Sequence, residues 1–418
     1  MRVPARTVRT GPALVVGAMV ATLVATSILA FPPVSSATTT LGPPDAATAS
    51  PVTVGMIIDG YDGGVGSGNK VEQGAQIAAR YENQYGDGLD GHKIELRFCA
   101  NDQSATGGLL CATDMVQHKV VAVIESSSGQ GPTEVPTLVQ AGIPYIAMTG
   151  GSAAELTTPG AFALLGGVPA ILGAVAQQAK QKGYAKVTLI VENEPTVVQG
   201  TQALGNIVFK AAGVGFDLLA ADPHATDLKP ELQQAVAGGA SAVGVGGDAG
   251  FCSAFLRSYA ALHLHLPRYV IATCLGPSNV NSRTLDKVLR GSLLAGAVTS
   301  NAKDDALYAA IVHKYARLVN PNPNVSSEDF AGLLPVLSLA AIMKDAPPSQ
   351  PATAAGILAR TETAKNVAIP LFGGGTFTCN GTAIALLMSI CSSTSAIGTL
   401  GSGYLVTHIQ TYDPSALF

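Results

Sequence analysis

A serine-rich loop in the first half of the chain could bind a polar ligand group. The apolar run Val120–Ile124 leads into Ser126, Ser127 and Ser128, just before a helical pattern. Hydroxyls and free backbone N–H groups at a helix N-terminus suit a carboxylate or another polar head group. The alternative is that these residues only cap the helix that follows.

A second candidate loop follows the strand-like run Ile143–Ala147. It contains Thr149, Gly150 and Ser152, and Ser152 with Glu155 has the spacing of a capping box. We therefore predict that Glu155 is structural and that Thr149 and Gly150 face the cleft.

The loop 59–68 is rich in glycine and contains Tyr61. A dinucleotide-binding spacing needs a third glycine where Asn69 stands, and no phosphate-binding Gly-Lys-Ser/Thr follows. We interpret this loop as the flexible rim of a cleft and predict that Tyr61 contacts the ligand.

Three further candidates follow strand-like runs in the second half of the chain. Glu192 and Asp248 each come after such a run and are natural partners for a ligand cation, or else solvated charges at a rim. Leu275 lies in the loop 273–277 and completes this set.

Catalytic and metal-binding patterns are lacking in the sequence. There is no G-x-S-x-G motif, and the 7 His are scattered except for His263 and His265, which lack an obvious third ligand. The sequence therefore predicts a binding protein that is not an enzyme and that uses no metal and no cofactor.

Strand-like and helix-like segments alternate along the body of the chain, and the alternation restarts near Leu165–Val168. This order predicts α/β architecture with two doubly wound parallel-sheet lobes, because parallel strands need helical crossovers on both faces. The predicted organisation is a signal peptide (1–37), a disordered linker (38–51), lobe 1 (52–167 plus 299–370) and lobe 2 (168–298 plus 371–418).

The N-terminus has the plan of a secretory signal: a basic start, the apolar run Ala13–Phe31, two prolines and small residues near Ala37. A retained membrane anchor is the alternative. The net charge of −4 does not favour a nucleic-acid partner. We expect an exported protein that is extracytoplasmic, either secreted or associated with the cell surface.

The chain has 6 Cys, and an even count in an exported protein indicates disulfides. Their spacing favours pairs of sequence neighbours, and the alternative, a zinc site, lacks closely spaced ligand pairs. The favoured pairs are Cys99 with Cys111, Cys252 with Cys274, and Cys379 with Cys391.

Several of these segments resemble the type I periplasmic binding proteins of ABC importers, in the leucine/isoleucine/valine-binding branch. The resemblance spans 52–410 and is densest in Gly91–Leu96, Lys119–Ile124, Gln140–Ile146 and Ser152–Thr157. The cysteine arrangement is similar to that of actinobacterial members. This resemblance implies a hinge of three crossovers between the lobes, with the ligand between them.

The resemblance also implies that Ser128, Gly150 and Ser152 hold the ligand in lobe 1. Lobe 2 departs from the amino-acid binders, because Asp248 stands where they have a tyrosine and the loop at Leu275 lacks their acid. The ammonium clamp is therefore not evident. We expect a small polar or carboxylate-bearing metabolite, amino-acid-like or a small organic acid or amide.

The predicted function is capture of that metabolite by hinge closure and delivery to ABC permease subunits in the membrane, by a monomer. The alternative is a sensory ectodomain that reports a metabolite to a membrane partner. An enzyme on the same scaffold is the third hypothesis.

Overall fold

The computed structural model describes residues 40–58, 69–126, 128–296, 301–319, 327–347, 349–402 and 406–418. The predicted signal peptide, Tyr61 with its glycine-rich loop, and Ser127 lie outside the described residues. Within the described segments, no helix combines the length and apolarity needed to cross a membrane.

The first sheet has five parallel strands in the order β2-β1-β3-β4-β5. The inner strands β3 and β4 have three residues each, all of them buried, as expected for a parallel sheet covered on both faces. The strands are β1 (Ala49–Ile58), β2 (His92–Ala100), β3 (Val123–Glu125), β4 (Tyr145–Ala147) and β5 (Ala161–Ala163).

The second sheet has seven strands in the order β14-β13-β10-β9-β8-β6-β7. Five are parallel: β6 (Lys186–Glu192), β7 (Gly215–Ala221), β8 (Ala242–Gly246), β9 (Arg268–Val270) and β10 (Leu293–Ala295). A small sheet of β11 (Val367–Ala368) and β12 (Thr376–Phe377) precedes β13 (Ser395–Leu400) and β14 (Val406–Tyr412).

The last two strands differ from the all-parallel expectation, because β13 runs antiparallel to both β10 and β14. An antiparallel pair needs only a short connection, whereas a further parallel strand would need a helical crossover. The connection from β13 to β14 is short, since β13 ends at Leu400 and β14 begins at Val406, so the two strands complete the sheet as a hairpin at its edge.

Helices cover both faces of each main sheet. Those of the first half are α1 (Lys70–Tyr85), α2 (Ala105–Gln117), α3 (Gly131–Gln140), α4 (Ala153–Thr157), α5 (Gly167–Lys182) and α6 (Pro195–Ala212). Those of the second half are α7 (Lys229–Ala237), α8 (Ala249–Ala261), α9 (Pro277–Val280), α10 (Arg283–Leu289), α11 (Ala302–Val319), α12 (Ser327–Met343) and α13 (Ala354–Glu362).

We call the first sheet and its helices lobe 1, and the second sheet and its helices lobe 2. In lobe 1, α1, α11, α12 and α13 share the main apolar core with the sheet, and α2 and α3 build a smaller core on the other face. Helices α1 and α12 pack in direct backbone contact, since a Cβ at Gly74 or Gly332 would collide with the partner helix. Lobe 2 likewise has a core on each face of its sheet.

The predicted disordered linker 38–51 is contradicted from Leu41 onward. The N–H groups of Asp45 and Ala47 donate to the carbonyls of Gln84 and Asn83, and β1 already begins at Ala49. The small, polar composition indicated little burial, but Leu41 is buried in the lobe 1 core, Ala47 is buried too, and backbone hydrogen bonds tie the segment to the end of α1.

The predicted boundary at residue 371 also differs from the structure. Leu371, Phe377 and both Cys379 and Cys391 belong to the apolar core of lobe 1. The last passage of the chain into lobe 2 therefore comes immediately before β13. The glycines at 373–375 lie in a turn within lobe 1.

The three predicted disulfides are confirmed. Cys99 joins Cys111, Cys252 joins Cys274, and Cys379 joins Cys391. The first ties β2 to α2, and the second ties α8 to the turn that follows β9.

Candidate functional site

The loops after β3 and β4 lie side by side at the carboxyl end of the lobe 1 sheet. The N–H of Thr149 donates to the Ser126 carbonyl at 3.1 Å, and the Thr149 hydroxyl approaches the same oxygen at 3.4 Å. We call these segments, residues 126–130 and 148–152, the lobe-1 loops. The structure thus brings together the two loops that the sequence proposed for ligand binding.

Ser128 is buried, and its hydroxyl already has two partners. It donates to Glu134 Oε2 at 2.9 Å and accepts from the Gln130 N–H at 2.9 Å. These bonds are structural, but they are not the helix cap weighed as the alternative, because Gln130 is the N-cap of α3 and no side chain caps that helix. A ligand would reach Ser128 only through the remaining lone pair of its oxygen.

The predicted capping box at Ser152 is confirmed, with Ser152 and Glu155 bonded reciprocally. Gly150 is buried, and a Cβ there would lie 2.9 Å from a methyl carbon of Leu156. The backbone of this loop is therefore packed tightly onto α4.

A cluster of buried polar groups under the lobe-1 loops was not predicted as a unit. Glu125 and Glu134 are 0% exposed and Glu155 is 1% exposed. The phenol of Tyr145, itself fully buried, touches both Glu125 and Glu155. A Glu directly after an apolar strand was the signal available in the sequence, but partners from three other elements could not be read from spacing.

Burial dominates the electrostatics of this cluster. It raises the pKa of Glu155, against hydrogen bonds from Ser152, Gly151 and Tyr145 that lower it. Burial also raises the pKa of the Tyr145 phenol well above its usual value, and three neighbouring carboxyls add to the effect. The phenol therefore stays protonated.

The lobe 2 candidates Glu192 and Asp248 touch each other. Glu192 Oε1 accepts the Asp248 N–H at 2.8 Å, and the Asp248 carboxylate caps α8 by accepting the Phe251 N–H at 2.7 Å. Burial is the first cause that raises the pKa of Glu192, and the charge of Asp248 adds to it. Both acids thus have structural partners in lobe 2.

Leu275 is half-buried in a short 3-10 turn whose Cys274 is bridged to α8. The Thr273 hydroxyl in the same turn donates to the Gly247 carbonyl at 2.7 Å. We call residues 192–194, 246–248 and 273–276 the lobe-2 loops. The structure assembles them as one edge of the second sheet.

A cavity of about 430 Å³ lies where the chain passes between the lobes. Among the described residues that were predicted for the site, Thr149 is the one that lines it. The other lining residues come from the passages between lobes, from the loop around β12 and from neighbouring elements: Leu165, Gly166, Gly167, Ile171, Gly296, Ile369, Phe372, Gly373, Gly374, Gly375, Thr376, Thr394, Ser395, Ala396 and Thr411.

The lining is neutral. Within the described part of the chain it contains no Asp, Glu, Lys, Arg or His, and its side-chain polar groups are hydroxyls. The same described residues hold no group of His, Cys, Asp and Glu suited to a metal ion. Strand ends do not predict this cavity, because most of its walls come from the passages between the lobes and from the turn at 373–375.

Comparisons with solved structures show a shared fold across most of the chain. LivJ, a branched-chain amino acid binding protein from Streptococcus pneumoniae solved with isoleucine, is 18% identical with a TM-score of 0.67, covering 87% of this chain and 100% of its own. A fatty acid ABC transporter substrate-binding protein from Thermomonospora curvata is 14% identical with a TM-score of 0.69, covering 89% and 96%.

A third similar structure is an ABC transporter solute-binding protein from Rhodopseudomonas palustris BisB5 in complex with 3,4-dihydroxybenzoic acid. It is 14% identical, with a TM-score of 0.67, and the match covers 87% of this chain and 98% of that one. At these identities the likeness shows the fold alone. A search of curated protein sequences finds no match.

A family model gives the stronger result, because it matches residues 51–389 and so covers most of the chain, including the lobe-1 and lobe-2 loops. Its members are ligand-binding proteins rather than enzymes, in agreement with the prediction. The chain belongs to the periplasmic binding protein family.

Proposed function

We propose that this chain is an exported solute-binding protein that closes around a small metabolite and delivers it to the permease of an ABC importer. The cavity at the passages between the lobes carries the proposal. Its volume of about 430 Å³ falls within the range of small-molecule sites.

Hinge closure is supported by what forms the cavity walls. Leu165 to Gly167 precede and begin α5, Gly296 directly follows β10, and Thr394 to Ala396 lead into β13. A molecule bound here touches every passage of the chain between the lobes. It can therefore favour one arrangement of the lobes over another through contacts that differ between them.

The neutral lining narrows the ligand class. An α-amino acid would bring an ammonium group into a cavity whose described walls offer no carboxylate, and an unpaired buried charge is costly. A carboxylate or amide can instead be held by hydroxyls such as Thr149 and by backbone N–H groups. Leu165, Ile171 and Phe372 supply apolar contact for the body of the ligand. We therefore propose a small organic acid or amide with an apolar body.

The similar structures are consistent with this range, since one was solved with 3,4-dihydroxybenzoic acid and another is described as a fatty acid transporter component. Export through the N-terminal signal and action as a monomer complete the proposal. The lobe-1 and lobe-2 loops would form the two rims of the cleft.

Replacing Thr376 with tryptophan tests the cavity directly. Thr376 is exposed on β12 and lines the cavity, so the indole can fill ligand space without displacing core residues. We expect binding of 3,4-dihydroxybenzoate or decanoate, measured by titration calorimetry, to weaken at least about tenfold, and isoleucine to bind more weakly than either in the parent protein.

Thr363→Trp is the matched control, because Thr363 is also exposed in lobe 1 but does not line the cavity. Equal binding by the two tryptophan variants would refute the cavity as the site. Binding of isoleucine in preference to both acids would leave the site standing and refute the ligand class. Small-angle scattering that shows no compaction on binding would argue against closure.

A further inference from the structure

The phenol of Tyr145 makes two contacts with carboxyl oxygens but has only one hydrogen to donate. Its oxygen contacts Glu125 Oε2 at short range and Glu155 Oε1 at 3.0 Å. A phenol has a single O–H, and an ionised carboxylate can only accept. For both contacts to be hydrogen bonds, one of the two carboxyls must carry a proton and donate it to the phenol oxygen.

The hydrogen-bond donors around Glu155 stabilise its ionised state. Its Oε2 accepts from the Gly151 N–H at 3.1 Å, the Ser152 N–H at 2.8 Å and the Ser152 hydroxyl at 2.8 Å. Hydrogen bonds donated to a carboxylate stabilise its charged form. The extra hydrogen is therefore best placed on Glu125, which donates to Tyr145, while Tyr145 donates to Glu155.

This chain of groups is attached to both lobe-1 loops. Glu155 holds the backbone of Gly151 and Ser152 in the second loop. It also packs on Gly131 at the start of α3, where a Cβ would lie 2.5 Å from its Cγ. The first loop leads directly into α3, so the position of Glu155 bears on both loops.

Glu134 extends the network to a third strand end. Its Oε2 accepts from Ser128 and its Oε1 accepts from Asn101 at 3.0 Å, just after β2. Among the described residues, the charges that act on the Tyr145 phenol are those of Glu125 on β3, Glu155 on α4 and Glu134 on α3. All three are carboxyls, so loss of the resident proton would add negative charge to a site already surrounded by it.

We propose that Glu125, Tyr145 and Glu155 share one resident proton and that this proton positions the two lobe-1 loops, so that ligand binding is linked to protonation. The link to ligand binding rests on the proposed function, whereas the resident proton and the positioning of the loops do not. Tyr145 is a positioning residue in this scheme. When the proton leaves to solvent, two carboxylates face one phenol hydrogen, and one of the two contacts becomes repulsive.

Infrared spectroscopy tests the proton without any ligand. Burial raises the pKa of Glu82, another glutamic acid of lobe 1, to about 8, so the measurement is made in a Glu82→Gln background that removes this second carboxyl. The amide introduced by Glu125→Gln would donate an N–H to the phenol and remove the need for the proton. We therefore expect Glu125→Gln to abolish one protonated-carboxyl C=O band at neutral pH. An unchanged band would overturn the proposal.

Hydrogen exchange tests the positioning. We expect Tyr145→Phe to speed exchange of the Gln130, Gly151 and Ser152 amides at least about tenfold, while Glu125→Gln keeps them protected. Glu82→Gln is the matched control. Glu82 is a buried carboxyl of the same lobe, in the last turn of α1, where the helix meets the opposite edge of the sheet. Its replacement should leave the exchange of these amides unchanged.

The pH profile separates a proton-linked role from a merely structural one. After correction for intrinsic exchange, the parent protein should lose protection at these amides from neutral to alkaline pH, and Glu125→Gln should not. Identical profiles for the two proteins would overturn the linkage. Because neither experiment uses a ligand, failure of the proposed transport function would leave both results interpretable.

Discussion

The loops at the two proposed rims of the cleft are held by different chemistry. The lobe-1 loops rest on buried carboxyls and a phenol, with Glu155 and Glu134 accepting from loop atoms. The lobe-2 loops are held by the Cys252–Cys274 disulfide and by the buried Asn279, which donates to the carbonyls of Ala249 and Cys274 at 3.2 Å each.

This difference predicts different sensitivities. A network of carboxyls changes its charge with pH, whereas a disulfide and a neutral amide do not. The lobe-2 loops also contain carboxyls, but Glu192 is half-buried and Asp248 is exposed, whereas those of lobe 1 are buried. The lobe-1 loops should therefore respond more strongly to pH, and the lobe-2 loops should respond to reduction. A protein that closes by moving one lobe against the other then has one rim that rests mainly on buried carboxyls and one that rests mainly on a disulfide and an amide.

The largest effect expected from this contrast is a pH-dependent stability that arises in lobe 1. Burial raises the pKa of Glu82 from 4.5 to about 8, with Lys344 acting in the opposite direction. A carboxyl whose pKa is higher in the folded state stabilises the fold below its unfolded pKa and loses that contribution as pH rises through the folded value. Stability should therefore fall between about pH 4.5 and pH 8, by at most about 5 kcal/mol from this group.

Urea unfolding of the parent protein and of Glu82→Gln at several pH values measures this contribution. The amide side chain of that variant cannot ionise, so the decline between mildly acidic and mildly alkaline pH should become shallower. Glu194→Gln, at an exposed acid of lobe 2, is the control and should leave the slope unchanged. An equal slope in all three proteins would remove Glu82 as the source.

The next effect is loss of the lobe 2 bridge. Replacing Cys252 and Cys274 with alanine opens a loop of sequence separation 22, and we expect about 3 kcal/mol less unfolding free energy at every pH. Amide exchange should rise in residues 272–280 and stay unchanged at Gly151 and Ser152. A loss of protection in the lobe-1 loops would mean that the two rims are not independently held.

Removing Cys379 and Cys391 is the matched control for that experiment. This bridge also closes a short loop, of sequence separation 12, but its cysteines belong to the apolar core of lobe 1. Its loss should lower stability by a similar amount without loosening the lobe-2 loops.

Much of the fold could be predicted from the sequence because its signals are local. Apolar runs such as Val120–Ile124, the capping box at Ser152 and the spacing of the six cysteines each lie within a short stretch of chain. They specify strands, a helix start and the disulfide pairs directly.

The lobe 1 network could not be predicted because its partners come from separate elements. Glu125, Tyr145 and Glu155 belong to β3, β4 and α4, and only the parallel pairing of β3 with β4 places the first two together. Ser128 shows the same limit: its hydroxyl suggested a ligand contact, but Glu134, a turn into α3, accepts it.

The smallest predicted effect concerns the alternative roles of Asp248, as a helix cap or as a partner for a ligand cation. The carboxylate accepts the Phe251 N–H at the start of α8, so Asp248→Ala should lower the unfolding free energy by about 1 kcal/mol. Asn caps helices as well as Asp does, so Asp248→Asn should restore most of that loss in urea unfolding. Ser282→Ala removes the N-cap of α10, which faces no proposed ligand, and so measures how much unfolding free energy a cap alone contributes.

Binding measured on the same variants separates the two roles. A cation held by Asp248 requires the charge, which Asp248→Asn removes while keeping the cap. Because the described residues of the cavity lining are neutral and Asp248 is not among them, we expect Asp248→Asn to bind 3,4-dihydroxybenzoate as the parent protein does. A loss of more than about tenfold in Asp248→Asn, with stability preserved, would place a ligand charge at the lobe-2 rim and would make that rim, too, dependent on titratable groups.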